Sequence, residues 1–418
     1  RSGEARSILK PAMQIGMPRW SPDGTAVAFI GGLMSDEPIV GGEIFVVSAE
    51  GGEARNLTPD LPASATWLAW LASPERILFA EQIDGESGIA TVAPGDGRVE
   101  QVWRGAETIT AGGAFSIGLS PSRDGRMTAL IRHSFRNAPE VWAGPIGAWR
   151  QVTRTNDAVR PPWGEARSLH WSGGRWEIQG WLIAPLHPSP ETRAPLIVLV
   201  HGGPVGAVTP TWPAPGSSLA LAAGYFVLVP NPRGSLGKGE AFVRAVVRDF
   251  GHGDLDDILN GVDEAVRSAP IDPQRVGITG WSYGGFMTMW AVTRTERFRA
   301  AVAGAGVANW QSYYGQNGID QWMIPFFGAS VYDDPKIYAR SSPINFVKNV
   351  RTPTLVLVGE RDIECPPPQS FEFYKALKTL GVETGLVVYP DEGHIFTDPG
   401  HRRDRLARIA AWFDAHLR

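Results

Sequence analysis

Cysteine is nearly missing from this 418-residue sequence: Cys365 stands alone. No intramolecular disulfide can form, and a cysteine-rich metal centre is excluded. The eight histidines show neither HExxH nor HxH spacing, so no metal and no cofactor is expected. No apolar run approaches the eighteen or so residues of a membrane-spanning helix, so no membrane partner is expected. Strong charge is lacking too. A net charge of −4, with no basic stripe carrying interleaved aromatics, argues against nucleic acid. The sequence opens on Arg1 with neither methionine nor a signal-like apolar stretch, which reads as a processed, truncated or leader-stripped chain. The compartment is left open: a soluble protein, cytoplasmic, periplasmic or secreted. What is present is ordinary globular composition, 43% hydrophobic and 20% charged, at a length that suggests two or three domains.

Residues 1–155 contain no convincing long amphipathic helix. They contain short alternating strands and a repeat of roughly fifty residues. The first copy is Trp20-Ser21-Pro22-Asp23-Gly24 before an apolar strand at 25–30. The second is Trp70-Leu71-Ala72-Ser73-Pro74 before 77–80, and the third is Leu119-Ser120-Pro121, with Asp124-Gly125, before 127–131. Each copy is trailed by a further strand pair, and a four-stranded unit at this period is the mark of a β-propeller blade. Three blades cannot close a ring, and an open ring leaves strand edges that proteins normally avoid. The expectation is therefore an incomplete all-β propeller over 1–160, with an N-terminal segment or a companion chain supplying the rest.

Beyond Arg160-Pro161-Pro162 the pattern changes. A hairpin is expected around Gly173-Gly174, and strands then alternate with helices, one marked by Leu255, Ile258, Val262 and Val266, another by Leu406, Ile409, Phe413 and Leu417. That alternation over 161–418 predicts a doubly wound, mostly parallel sheet.

Within it, Gly280-Trp281-Ser282-Tyr283-Gly284-Gly285 joins an apolar strand at 275–279 to a helical segment at 286–291. A small-x-Ser-x-Gly turn in that context is how α/β-hydrolases present a nucleophile, with glycines where a Cβ would strike backbone. Alone, such a pentapeptide can arise by chance in a chain with 49 glycines. Chain order adds to it, because the architecture puts the acid and then the base after later strands. Asp362 follows the apolar run 354–359, and His394 follows the run 385–390. Serine needs an imidazole to take its proton, and the imidazole needs a carboxylate to fix its tautomer. Glu360 and Glu364 compete with Asp362, which is preferred because a shorter carboxylate past the strand end can turn back to a neighbouring loop. For the oxyanion, the backbone N–H of Tyr283 is one candidate donor. The N–H of Gly203, in His201-Gly202-Gly203-Pro204 after the strand 194–200, is the second.

A propeller before a domain carrying GWSYGG, HGGP and Asn231-Pro232-Arg233-Gly234-Ser235 resembles the prolyl oligopeptidase family of serine peptidases, closely over 164–418 and loosely before it. The likeness is greatest to its acylaminoacyl peptidase and dipeptidyl aminopeptidase branch. The resemblance implies cleavage of short peptides and assigns nucleophile, acid and base to Ser282, Asp362 and His394. It implies a substrate pocket at Tyr283, Val307, Trp310, Tyr313 and Cys365, although Trp310 and Tyr313 also suit plain core packing. Two departures matter. Where prolyl- and dipeptidyl-cleaving members use a tyrosine hydroxyl as oxyanion donor this sequence has His201, which favours the Gly203 backbone. Where relatives carry a cationic or amide side chain that grips a substrate carbonyl, it has Glu364, which suits a substrate ammonium or simply solvent. Arg233 is expected to orient neighbouring loops by ion pairing or to serve the surface. The competing readings are a carboxylesterase or amidase with the same triad, and a non-catalytic propeller scaffold. A homo-oligomer is compatible with all of them.

Overall fold

The structure is a computed structural model that describes residues 5–35, 39–72, 75–111, 117–187, 192–215 and 224–418. Arg1 and the Ser73-Pro74 portion of the second repeat copy lie outside the described residues. The chain separates into two compact units. One comprises Arg1–Pro161, Thr209–Ala214 and Ser235–Arg244, the other Pro162–Val208, Pro215–Gly234 and Ala245–Arg418.

The first unit is built from antiparallel meanders. β1 (Gln14–Trp20), β2 (Ala26–Gly32), β3 (Glu43–Ser48) and β4 (Arg55–Asn56) form one sheet in chain order, and β5 (Ser64–Ala72), β6 (Glu75–Ile83), β7 (Glu86–Val92) and β8 (Val99–Gly105) form the next. The third contains β9 (Thr108–Thr110), β10 (Ser120–Pro121), β11 (Thr128–His133), β12 (Glu140–Gly144) and β13 (Arg150–Gln151), with β9 paired to β11. The repeat has a local cause. In the first copy the Ser21 carbonyl accepts from Gly24 N–H, and the Ser21 hydroxyl donates to Asp23 while accepting from Ala26 N–H. Ser122, Asp124, Gly125 and Met127 repeat that bonding, and both glycines sit at positive φ, 74° and 69°. A hydroxyl and a carboxylate thus close each hairpin through bonds that backbone alone would leave open. The Ser21 hydroxyl and then Thr25 hold Asp23 down at a pKa of about 2.

Successive side chains of a strand point to opposite faces, and β6 uses this to serve two cores. Ile77 and Phe79 pack with Ala28, Ile30 and Ile44, whereas Leu78 and Ala80 pack with Ile109, Leu130 and Trp149. This explains an apolar run in a strand that is part of an antiparallel sheet.

The second unit holds an eight-stranded sheet. Its strands are β14 (Ala166–Gly173), β15 (Trp176–Ile183), β16 (Ala194–Val200), β17 (Phe226–Asn231), β18 (Ile271–Trp281), β19 (Ala300–Gly304), β20 (Thr354–Gly359) and β21 (Thr384–Tyr389), in the order β14-β15-β17-β16-β18-β19-β20-β21. β14, β15 and β17 pair antiparallel, and every pairing from β17 through β16 to β21 is parallel. The principal helices are α1 (Gly253–Ser268), α2 (Tyr283–Arg294), the single turn α3 (Trp310–Tyr313), α4 (Pro367–Thr379) and α5 (Pro399–Leu417). Phe413 and Leu417 of α5 pack on Ile197, Ala300, Val302 and Leu357, closing one face of the sheet. The chain leaves β16 toward β17 and leaves the adjacent β18 toward β19, in opposite directions, so a crevice opens at the carboxyl ends of β16 and β18. No helix among the described residues is long and apolar enough to cross a membrane.

Candidate active site

Ser282 stands between the end of β18 and the start of α2, with φ 63° and ψ −123°. A non-glycine residue in the left-handed region costs roughly 1–2 kcal/mol and persists only where its surroundings enforce it. Here they do. The Ser282 N–H donates to the Gly304 carbonyl at 3.1 Å, and its own carbonyl accepts from Phe286 N–H at 2.9 Å. A Cβ on Gly280 would strike Gly284, one on Gly284 would strike the Val200 carbonyl, and one on Gly285 the Gly304 carbonyl. The turn therefore closes backbone against backbone, which only glycine permits.

The loop after β16 lies against this turn: a Cβ on Gly202 would stand 3.3 Å from the Ser282 Cβ and 3.9 Å from its Oγ. Gly203 has φ 129°, again open only to glycine. His201 Nδ1 pairs with the Gly202 carbonyl at 2.7 Å, and burial pulls the imidazole below its usual pKa. It is thus held neutral beside the loop that carries the second candidate oxyanion donor.

His394 lies past β21, and its Nδ1 is 2.8 Å from Asp362 Oδ2. Asp362 is buried, and its other oxygen accepts from the backbone N–H groups of Glu364 and Cys365 at 3.0 and 2.8 Å. Those bonds aim one oxygen at the imidazole. A carboxylate at Nδ1 keeps the proton there and leaves Nε2 as the basic nitrogen. The competitors do otherwise: Glu360 accepts from Asp391 N–H, and Glu364 Oε2 lies 3.5 Å from His394 Nε2, on the opposite side of the ring from Asp362. Trp281, adjacent to the serine, donates its indole N–H to the His394 carbonyl at 3.0 Å. Cys365 Sγ is 4.0 Å from Ser282 Oγ. Ser282, Asp362, Glu364, Cys365 and His394 are thereby drawn together from three separate loops.

The remaining pocket candidates form an aromatic cluster. Tyr283, Trp310 and Phe327 each pack on Phe250, with centroids 5.2, 5.5 and 5.0 Å away, and Tyr313 meets Trp310 edge-on. Val307, Trp310 and Tyr313 are all buried, and the Trp310 indole N–H has no hydrogen-bond partner among the described residues. Burial drives the Tyr313 hydroxyl well above its usual pKa.

Two acidic residues that sequence reasoning missed support the turn. The Tyr283 hydroxyl donates to Asp254 Oδ2 at 2.5 Å, and burial pushes Asp254 up to about 7. Arg233 makes a two-pronged pair with Asp257, 2.8 Å from Nε and 2.6 Å from Nη2, and its Nη2 also reaches the Gly173 carbonyl. Half-buried Arg233 therefore ties the β17 loop to buried Asp257 of α1 and to β14. The one available signal was the acidic start of α1, Asp254-Leu255-Asp256-Asp257, read only for its apolar stripe. No group of three metal-ligating side chains occurs among the described residues.

A family model described as the prolyl oligopeptidase family matches residues 216–418. Residues 216–418 are a prolyl oligopeptidase family domain. That family comprises serine-type peptidases. The uncharacterized peptidase YuxL of Bacillus subtilis is 43% identical over 245 residues, covering 57% of this chain and 37% of that protein. Dipeptidyl-peptidase 5 of Porphyromonas gingivalis is 27% identical over 418 residues, covering 96% of this chain and 59% of that protein. Among solved structures, the acylaminoacyl peptidase of Pyrococcus horikoshii superposes with TM-score 0.80 at 27% identity, covering 94% of this chain and 62% of that one. This chain thus spans less than two thirds of the length of each. The prolyl oligopeptidase domain includes Ser282, Asp362 and His394, while the His201–Pro204 loop precedes the matched residues.

Proposed function

We propose that this chain hydrolyses short peptides through an acyl-enzyme at Ser282, as an acylaminoacyl or dipeptidyl peptidase does. The observation that carries the reading is the 2.8 Å bond between His394 Nδ1 and Asp362, which prepares Nε2 to take a proton while Ser282 projects from an enforced left-handed turn. His394 removes the serine proton and returns it to the leaving amine, and water then cleaves the ester with His394 again as base. The N–H groups of Tyr283 and Gly203 are the oxyanion donors in this reading, each worth on the order of 10²–10³ in rate. Val307, Trp310, Tyr313 and Cys365 are assigned to the wall facing the side chain of the residue acylated. The three antiparallel sheets of the first unit are read as blades of a β-propeller, supported by the four-strand meander path that each contains and by the Ser-x-Asp-Gly turn of the first and third.

Glu364 refines the substrate class. A carboxylate 3.5 Å from the basic nitrogen favours a cationic group near the scissile carbonyl, so a free substrate amine is preferred over a blocked one. Glu364→Gln should lower kcat/KM on free aminoacyl anilides about tenfold and leave N-acylated anilides nearly unchanged, since removal of one charged partner costs on the order of 1.5 kcal/mol. Equal losses on both would overturn the preference. The peptidase reading itself is tested by fluorophosphonate labelling at Ser282 together with turnover of aminoacyl or acylaminoacyl anilides. Labelling with turnover of p-nitrophenyl esters alone would favour an esterase, and absence of labelling an inert scaffold.

A further inference from the structure

Behind the Ser282 turn, α5 and the His394 loop enclose a pocket of about 380 Å³. Its wall is formed by Leu199, Phe396, Leu406 and Ile409 together with Trp281 and the two arginines of α5, Arg402 and Arg405. No aspartate or glutamate lines it among the described residues. The guanidinium of Arg405 is clamped between aromatic rings, 4.7 Å from the centroid of Trp281 and 4.9 Å from that of Phe396. It makes no hydrogen bond or ion pair among the described residues, and burial pulls its pKa below the usual value. Among the described residues the Arg402 guanidinium uses only its Nε, which donates to the Phe396 carbonyl at 2.6 Å.

The surrounding acids are committed elsewhere. Glu392 accepts from Thr397 and Asp398 N–H and from His401, and Asp398 caps the first turn of α5. Asp404 holds Arg408 and the Tyr389 hydroxyl. A partly desolvated cation is costly without a counter-charge, and stacking on aromatic faces offsets only part of that cost. A guanidinium is also a planar fork shaped for a carboxylate. The pocket is of ligand size, within the range of roughly 300–1,000 Å³ usual for small-molecule sites.

We propose that this pocket is a binding site for an apolar monocarboxylate, whose carboxylate pairs with Arg405 and Arg402 and whose hydrocarbon part lies against Leu199, Phe396, Leu406 and Ile409. The site borders the peptide-cleaving chemistry proposed above at His394, and the proposal stands or falls without that reading. Its occupant would touch Trp281, whose indole holds the His394 carbonyl, and His394 itself also lines the pocket.

Calorimetric titration with octanoate tests the assignment, with octanol and octylammonium as matched probes of the same chain length. Octanoate should bind at one saturable site, octanol at least about tenfold more weakly, and octylammonium not at all, since the loss of one charged contact is worth about a factor of ten or more. Arg405→Met should weaken octanoate by about the same factor, and Arg405→Lys by less. Ile409→Trp, which fills the pocket and keeps both arginines, should abolish binding by itself, so a misfolded arginine variant would not end the test. Equal affinity for octanoate and octylammonium, unchanged binding in a folded Arg405→Met or Ile409→Trp chain, or no saturation below about 10 mM octanoate would each overturn the proposal.

Discussion

The two units solve the problem of ordering strands in opposite ways. In the first, the main path of each sheet follows chain order and hairpin turns set the register. In the second, β15 pairs with β17, and β16 lies between β17 and β18, so neighbours in space are distant in sequence. Local pairing costs little loop entropy and is written in short turns such as Ser21–Thr25. It provides no point where connections diverge. The non-local sheet has one, and the serine turn and the His201–Pro204 loop both end there. Chemical capacity here follows from strand order more than from composition.

The sharpest way to test this division is to remove the proposed nucleophile. Ser282→Ala should lower kcat by about 10⁴-fold or more, and circular dichroism and the melting transition should barely change; a surviving activity of even a tenth would move the chemistry to another residue. Next in size is the buried tie between α1 and the β17 loop. Arg233→Ala strands Asp257, which is 0% exposed at its side chain, and should cost about 3–5 kcal/mol in denaturant unfolding. A loss below about 1 kcal/mol would mean that water repairs the site.

The smallest effect compares the units directly, because each contains a buried carboxylate raised to about 7. Burial raises Glu81 to about 7 in the first unit, where Gln101 donates to it, and Asp254 to about 7 in the second. An unfolded carboxylate titrates near 4. Between these values each of the two groups binds more protons in the folded chain, so the stability they contribute is full below about pH 4 and declines as the pH rises through about 7. Glu81→Gln and Asp254→Asn should each flatten part of that decline, by up to a few kcal/mol between pH 5 and 8, measured by urea unfolding at both pH values. If the profile keeps its slope in the double variant, neither carboxylate is protonated in the folded chain.

The hydrolase sheet and the Ser, Asp, His order were legible because each residue follows an apolar run or a glycine turn that can be recognised locally. The ties were not. Nothing near Asp254 in sequence points to Tyr283, and nothing near Arg405 points to Trp281 and Phe396, since helical periodicity reports which face is apolar and not what the polar face touches. The same limit applies to the segments 209–214 and 235–244, whose contacts group them with the first unit. A single boundary near residue 160 is all that composition offers, because short loops carry no pattern of their own. The fifty-residue repeat was readable as a period, and the paired serine and aspartate bonds that close its first and third copies required coordinates.

The glycines around Ser282 have a consequence for descent. Gly280, Gly284 and Gly285 are fixed by carbonyls and backbone of Val200, Gly304 and one another, none of which takes part in bond cleavage. A lineage that abandoned hydrolysis would be free to replace the serine and would still have to keep the three glycines to retain its sheet. In such inactive descendants the frame of the motif would outlive its centre, so a glycine signature by itself dates the architecture and only the residue between them records whether the chemistry was inherited.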